Sequence, residues 1–182
     1  MADSNFPFVT DPVLRQNLDE AFQHILVLLP FSESVTYDET AKSSFRKTII
    51  IYTASIIEAL LYHLVDTKLT EKDIEVQTWE LVNKNVLYEV DDTHKIVAGD
   101  YKLKVAQTKK DKLNLGMIGQ LLKDKGVLSK LLFDKVDWIR ELRNNQHIGP
   151  HKAVKAFTKA DIERAFSIAS DVKTFVKGKV RS

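Results

Sequence analysis

Residues 45–66 read FRKTIIIYTASIIEALLYHLVD, an apolar run interrupted only by isolated polar side chains, among them Thr53, Ser55, Glu58 and His63. A helix that is apolar on nearly every side must be covered on nearly every side. The stretch from about Glu39 to Asp66 therefore predicts the central, most buried helix of a bundle. The polar interruptions favour a core helix over a membrane span.

Working outward, Asp11-Pro12 is an N-cap followed by a first-turn proline. Leu14, Leu18, Ala21, Phe22, Ile25 and Leu29 then recur at helical spacing, with Pro30 as the expected stop. On the other side of the central run, Thr70 and Asp73 make a capping box for a shorter helix carrying Ile74, Trp79, Leu81 and Val82 and ending near Lys84. From Val86 to Gln107 the β-formers come in short runs separated by Asp91-Asp92-Thr93 and Gly99-Asp100, which predicts a hairpin or a three-stranded meander. So small a sheet is not stable alone and must lean on the helices or on another subunit.

Leu115, Ile118, Leu121 and Leu122 mark a further helix capped by Gly126, and a long helix runs from about Leu128 to His147, stopped by Gly149-Pro150. Thr158 and Asp161 form a second capping box. It opens a last helix with Ile162, Ala165, Phe166, Ala169, Val172, Phe175 and Val176 on one stripe and a tail expected to fray from Lys177 to Ser182. The expected fold class is mainly α: one domain over residues 1–182, an up-and-down helical bundle with a β insertion near 86–107.

Composition narrows the chemistry. Hydrophobic residues at 44% and charged residues at 29% are ordinary globular values, which argues against disorder and against a membrane protein. The absence of cysteine excludes disulfides, thiolate metal sites and thiol nucleophiles. Met1 to Thr10 has no basic stretch leading into an apolar run, so no secretory signal is read there and a cytoplasmic location is the default expectation. The net charge of +2 is small but uneven: residues 1–40 carry seven acids against Arg15, and residues 102–135 carry nine lysines against Asp111, Asp124 and Asp134. The second contrast suggests a basic surface that could attract a polyanion, although lysine-rich stretches are more often plain solvated faces.

The strongest functional signal is Arg140-Glu141-Leu142-Arg143-Asn144-Asn145-Gln146-His147. At about 100° per residue, Leu128, Leu131, Leu132, Val136, Ile139 and Leu142 form the core face of their helix. Arg140, Arg143, Asn144 and His147 lie beside it on an arc of roughly 100°. Boundary positions are partly desolvated, where charges act more strongly than in open water yet still meet a ligand or a partner. An imidazole beside guanidinium groups is disfavoured as a cation and so accepts a proton near neutral pH, while arginine grips a phosphate and offsets developing negative charge. The same residues also suit a structural role, with salt bridges and a histidine favourable to the helix dipole. Glu58 is costly in its apolar setting unless it meets a cation, for which Arg140 or Arg143 is the candidate.

Two segments, Phe45 to Val65 with Glu58, and Ile139 to Ile148, resemble the HEPN superfamily of small helical-bundle domains found in ribonucleases of toxin, antiphage and RNA-processing systems. Active members carry an arginine, usually followed by a polar residue, and a histidine after four to six intervening residues. Here Arg143-Asn144 supplies the arginine-polar pair with three residues before His147, whereas Arg140 is followed by Glu141 and has six before His147. The resemblance implies a homodimer, with two motifs across a shared cleft, and metal-independent cleavage of RNA by attack of a 2′-hydroxyl on the adjacent phosphate. His147 would be the acid-base residue, Arg143 or Arg140 the phosphate-stabilising group, Asn144 a positioning residue and Glu58 a support for the arginine. An antitoxin or other protein partner is expected in a toxin setting. The alternatives are a non-catalytic module of the same family that binds a nucleotide, RNA or a protein, and an interaction protein whose Arg140–Glu58 network is structural.

No cofactor or metal is expected. His147 and His151 stand four apart, but Gly149-Pro150 breaks the helix between them and no carboxylate pattern completes a site. His24, His63 and His94 receive no role, there is no phosphate-binding glycine loop, and Asp91-Asp92 reads as turn chemistry.

Overall fold

The computed structural model describes residues 3–107, 109–144 and 156–181. Asp11 opens the first helix, α1 (Pro12–Glu33), by accepting the backbone N–H groups of Val13 and Leu14 at 2.8 and 3.0 Å. Pro30, expected to end this helix, lies inside it. It removes a single N–H one turn from the end, and the facing turn at Leu26 and Val27 is exposed, so the missing bond falls on the solvent side of the helix. The segment before α1 is also packed down: Phe6, Phe8 and Val9 are buried, and the Phe6 ring meets Phe22 edge-on.

The apolar run forms α2 (Glu39–Lys68), as its composition requires. Ile49, Ile50, Ile57, Leu60, Leu61 and Leu64 are fully buried. Among the described residues α2 has the length and apolar character to cross a membrane, but more than half of that window is covered by the rest of the protein. The cover comes from α1 and from three helices that follow the hairpin: α3 (Leu115–Asp124), α4 (Lys130–Asn144) and α5 (Lys159–Arg181). Gly126 ends α3 in the left-handed region (φ +67°), with N–H bonds from Gly126 to Lys123 and from Val127 to Leu122 closing the last turn. The box at Thr158 and Asp161 starts α5, which stays helical through Lys177 to Arg181 where fraying was expected.

Arg46 pins the start of α5 to α2. Only 8% exposed, it donates to Glu39 at 3.1 Å and to the Phe157 carbonyl at 3.4 Å, and lies 3.7 Å from a Glu33 oxygen. The Phe157 N–H is taken by Ser43 Oγ at 2.9 Å.

The chain divides into two compact units, a helical one from residues 1–68 and 113–182 and a hairpin unit from residues 69–112. Within the hairpin unit the Thr70–Asp73 box is present, but it opens one tight turn, Glu71–Ile74, instead of the expected helix to Lys84. The chain then extends as β1 (Glu75–Glu89), antiparallel to β2 (Lys95–Gln107). The sheet is thus two-stranded and begins eleven residues before the expected Val86. A capping box satisfies first-turn N–H groups whether or not a helix follows, and β-formers such as Trp79 find partners in Leu103 and its neighbours. At the tip Asp91 does serve as turn chemistry: hydrogen bonds from Thr93 and His94 hold its carboxyl at about 2.

His63, on α2, is 3% exposed, its Nε2 has no hydrogen-bond partner, and burial lowers its pKa from the ordinary 6.5 against the opposing pull of Asp66 and Asp11. The unfolded chain therefore takes up this proton first as pH falls. Stability from the neutral buried ring is complete above about pH 6.5 and declines as the pH drops below it toward the lowered folded-state value. Thermal melts between pH 7.5 and 5.5 are expected to show a falling midpoint in the wild type and a flatter profile in His63→Leu.

Candidate functional site

The site is built where three helices of the helical unit meet. Ser129 opens α4 by accepting the Leu132 N–H at 3.3 Å, and Val136, Ile139 and Leu142 are its buried face. Leu131, expected on that face, is 71% exposed because it lies at the edge of the stripe, about 80° from its centre. The same wheel separates the two arginines. Arg143 is about 40° from the centre of the buried stripe and Arg140 about 100°, so only Arg143 is directed toward α2.

Arg143 Nη1 donates to Glu58 Oε2 at 2.7 Å, with both side chains about three-quarters buried. The other carboxylate oxygen of Glu58 accepts the Leu115 N–H at 2.5 Å. That donor is one of the N–H groups left without a partner at the start of α3, where a negative charge is also favoured by the helix dipole. Arg143 stands in the last described turn of α4. One carboxylate on α2 thus binds the beginning of α3 and the end of α4. Asn114 completes the junction by accepting the Met117 N–H at 3.1 Å.

Arg140 does not reach Glu58, which corrects the Arg140–Glu58 network considered from sequence. Its Nε donates to Asp137 at 2.6 Å and its Nη2 lies 3.6 Å from Glu141. The Asp137 bond holds the guanidinium pKa above its ordinary value. The stem crosses Gly116, where an added Cβ would stand 3.1 Å from Arg140 Cδ, so a side chain there would push the arginine stem aside by a few tenths of an ångström. Asn144 is half-buried at the last described position of α4, while His147, with Asn145, Gln146 and His151, lies outside the described residues. Of the sequence-derived set, the structure joins Glu58 to Arg143, sets Arg140 apart on its own helix surface, and describes Asn144 beside Arg143.

Sequence reasoning missed three contacts: the Leu115 N–H at the junction, and Asp137 and Gly116 beside Arg140. Asp137 stands three residues before Arg140, a readable helical pair. The other two are contacts between helices without a local signature. The lysines of 102–135 do not belong to one element: Lys102, Lys104, Lys109, Lys110 and Lys112 belong to the hairpin unit and Lys123, Lys125, Lys130 and Lys135 to the helical unit. Several are engaged, Lys104 with Glu80 at 3.2 Å and Lys135 with Asp171 at 2.7 Å. Among the described residues no group of three or more histidine or acidic side chains is arranged to hold a metal ion. Comparison with protein-family models, curated proteins and solved structures yields no match.

The two arginines should separate in stability measurements. Glu58→Ala leaves Arg143 and the Leu115 N–H without their partner and is expected to cost about 1–3 kcal/mol. Arg140→Ala removes a pair on one helix surface and is expected to cost about 0.5 kcal/mol. Urea unfolding followed by far-UV circular dichroism reads both; equal losses would contradict the assignment of Glu58 as the junction.

Proposed function

We propose that this chain is a metal-independent endoribonuclease of the HEPN type. The observation that carries the reading is the Glu58–Arg143 pair, which fixes an arginine-asparagine dipeptide at a partly solvated helix boundary, three residues before His147. In this reading Arg143 is the primary arginine and Arg140 a flanking group. In this reading His147 takes the proton of a ribose 2′-hydroxyl as that oxygen attacks the adjacent phosphorus. The bond to the 5′-oxygen breaks, a proton is returned to the leaving oxygen, and the products are a 2′,3′-cyclic phosphate and a 5′-hydroxyl. Arg143 offsets the charge that grows on the phosphoryl oxygens, and Asn144 orients the group under attack. The homodimer, the toxin or antiphage setting and a protein antitoxin belong to the same reading.

One observation favours a second reading. The Arg143 guanidinium is already bonded to a carboxylate, as in a structural ion pair, which suits a non-catalytic member of the family that binds RNA, a nucleotide or a protein.

Cleavage of single-stranded RNA in EDTA separates the two. The expected outcome is that His147→Ala abolishes cleavage with the melting temperature unchanged, and that Arg143→Lys lowers it by at least about a hundredfold, in the range of a lost transition-state donor. Binding of RNA without cleavage by the wild type would favour the second reading.

A further inference from the structure

The helical unit contains a cavity of about 350 Å³ between the segment before α1 and the helices α1, α2 and α5. Ile56, one of its α2 residues, stands two positions before Glu58 and so about 200° around the helix from it. The cavity and the Glu58–Arg143 junction therefore occupy different sides of α2. Its volume is at the lower end of the range for small-molecule sites, roughly 300–1,000 Å³. The deep part of the lining is apolar, with Phe6, Ile25 and Ile56 all buried. Thr53 is buried there too, but its hydroxyl donates to the Ile49 carbonyl at 2.8 Å, so no free donor is left at depth. Apolar cavities of this kind exclude water and accept apolar guests.

The lining changes character toward solvent. Leu26 and Ser170 are exposed and Lys173 is half-buried. Lys173 is the only charged side chain that lines the cavity, and Ser170 stands one turn before it on the same face of α5. A lysine at such a boundary lays its apolar stem along the wall and keeps its ammonium at the water. Lys173 Nζ stands 5.0 Å from the centre of the Phe6 ring, and among the described residues no carboxylate pairs with it. The acids of the adjoining segments are engaged elsewhere: Asp19 accepts the Asn5 N–H at 2.8 Å and Asp171 pairs with Lys135 at 2.7 Å.

We propose that this cavity binds a fatty acid with a single alkyl chain of medium length, the chain among Phe6, Ile25 and Ile56 and the carboxylate against Lys173. The apolar depth and the one cation at the opening give the site a polarity that an amphiphilic monoanion matches along its whole length. One ammonium balances one carboxylate, and the volume suits one chain, not the two chains of a membrane lipid. The inference goes beyond the ribonuclease reading and does not rest on it: no lining residue belongs to the Glu58–Arg143 pair, and the test contains no cleavage measurement.

Calorimetric titration of the whole chain with decanoate, below its micelle concentration, tests the proposal. Decanoate is expected to bind at one saturable site, and decyltrimethylammonium, with the same chain and the opposite charge, at least about tenfold more weakly. Lys173→Met keeps the apolar stem and removes the charge. It is expected to weaken decanoate about tenfold while leaving decanol unchanged, a difference that a merely structural lysine would not produce. Ala169→Phe fills the cavity from α5 and is expected to weaken decanoate and decanol together, with circular dichroism as the control for folding. Should that variant unfold, the head-group series and Lys173→Met still decide. No saturable decanoate binding, equal affinity for the two charged amphiphiles, or full decanoate affinity in Lys173→Met would overturn the proposal.

Discussion

The helical unit depends on α2 being apolar around most of its circumference. No single neighbour can bury such a helix, so α1, α3, α4 and α5 all pack on it. The polar side chains on this core helix then acquire unusual weight, because each must be satisfied where packing happens to allow it. Thr53 turns inward and bonds the Ile49 carbonyl of its own helix at 2.8 Å. Arg46 and Glu58 instead reach other segments, and His63 is accommodated as a neutral ring. The way in which these residues are satisfied determines which parts of the chain are fastened to the core.

Glu58 illustrates how a stability problem on one helix is solved by its neighbours. A half-buried carboxylate needs donors, and the two it obtains come from two different helices. The dipole of α3 favours the negative charge placed at its start. Arg143 is held in this way from another helix, whereas Arg140, bonded to Asp137, is held only from its own. Preorganised charge is what stabilises an anionic transition state. The same preorganisation also serves a module that only binds.

Most of the helical architecture was legible because it rests on periodicity and capping, both local. The Asp11 cap, the box at Thr158 and Asp161, and Gly126 after α3 each mark a boundary by satisfying backbone groups within a few residues. The hairpin was legible only in its second half. Residues 70–84 carry a real helix-start signal and real β-formers together, and the choice is made by pairing with a strand more than twenty residues away. In the site, a cation for Glu58 was predictable from its apolar surroundings. Which arginine supplies it follows from the angle between each arginine and the buried stripe, a distinction that treating both as boundary residues concealed. The Leu115 N–H was not legible, since it is defined by where α3 happens to begin.

The anchors at Glu58 and Arg46 together make α2 a ruler. Glu58 holds Arg143 of α4, and Arg46 and Ser43 hold Phe157 just before α5. The two attachment points lie twelve residues apart on one rigid helix, about 18 Å at 1.5 Å per residue. A one-residue insertion in α2 between these two posts would shift one anchor against the other by about 1.5 Å and turn it by about 100°, so the spacing of the Arg143 and Phe157 attachments is written in the length of the core helix.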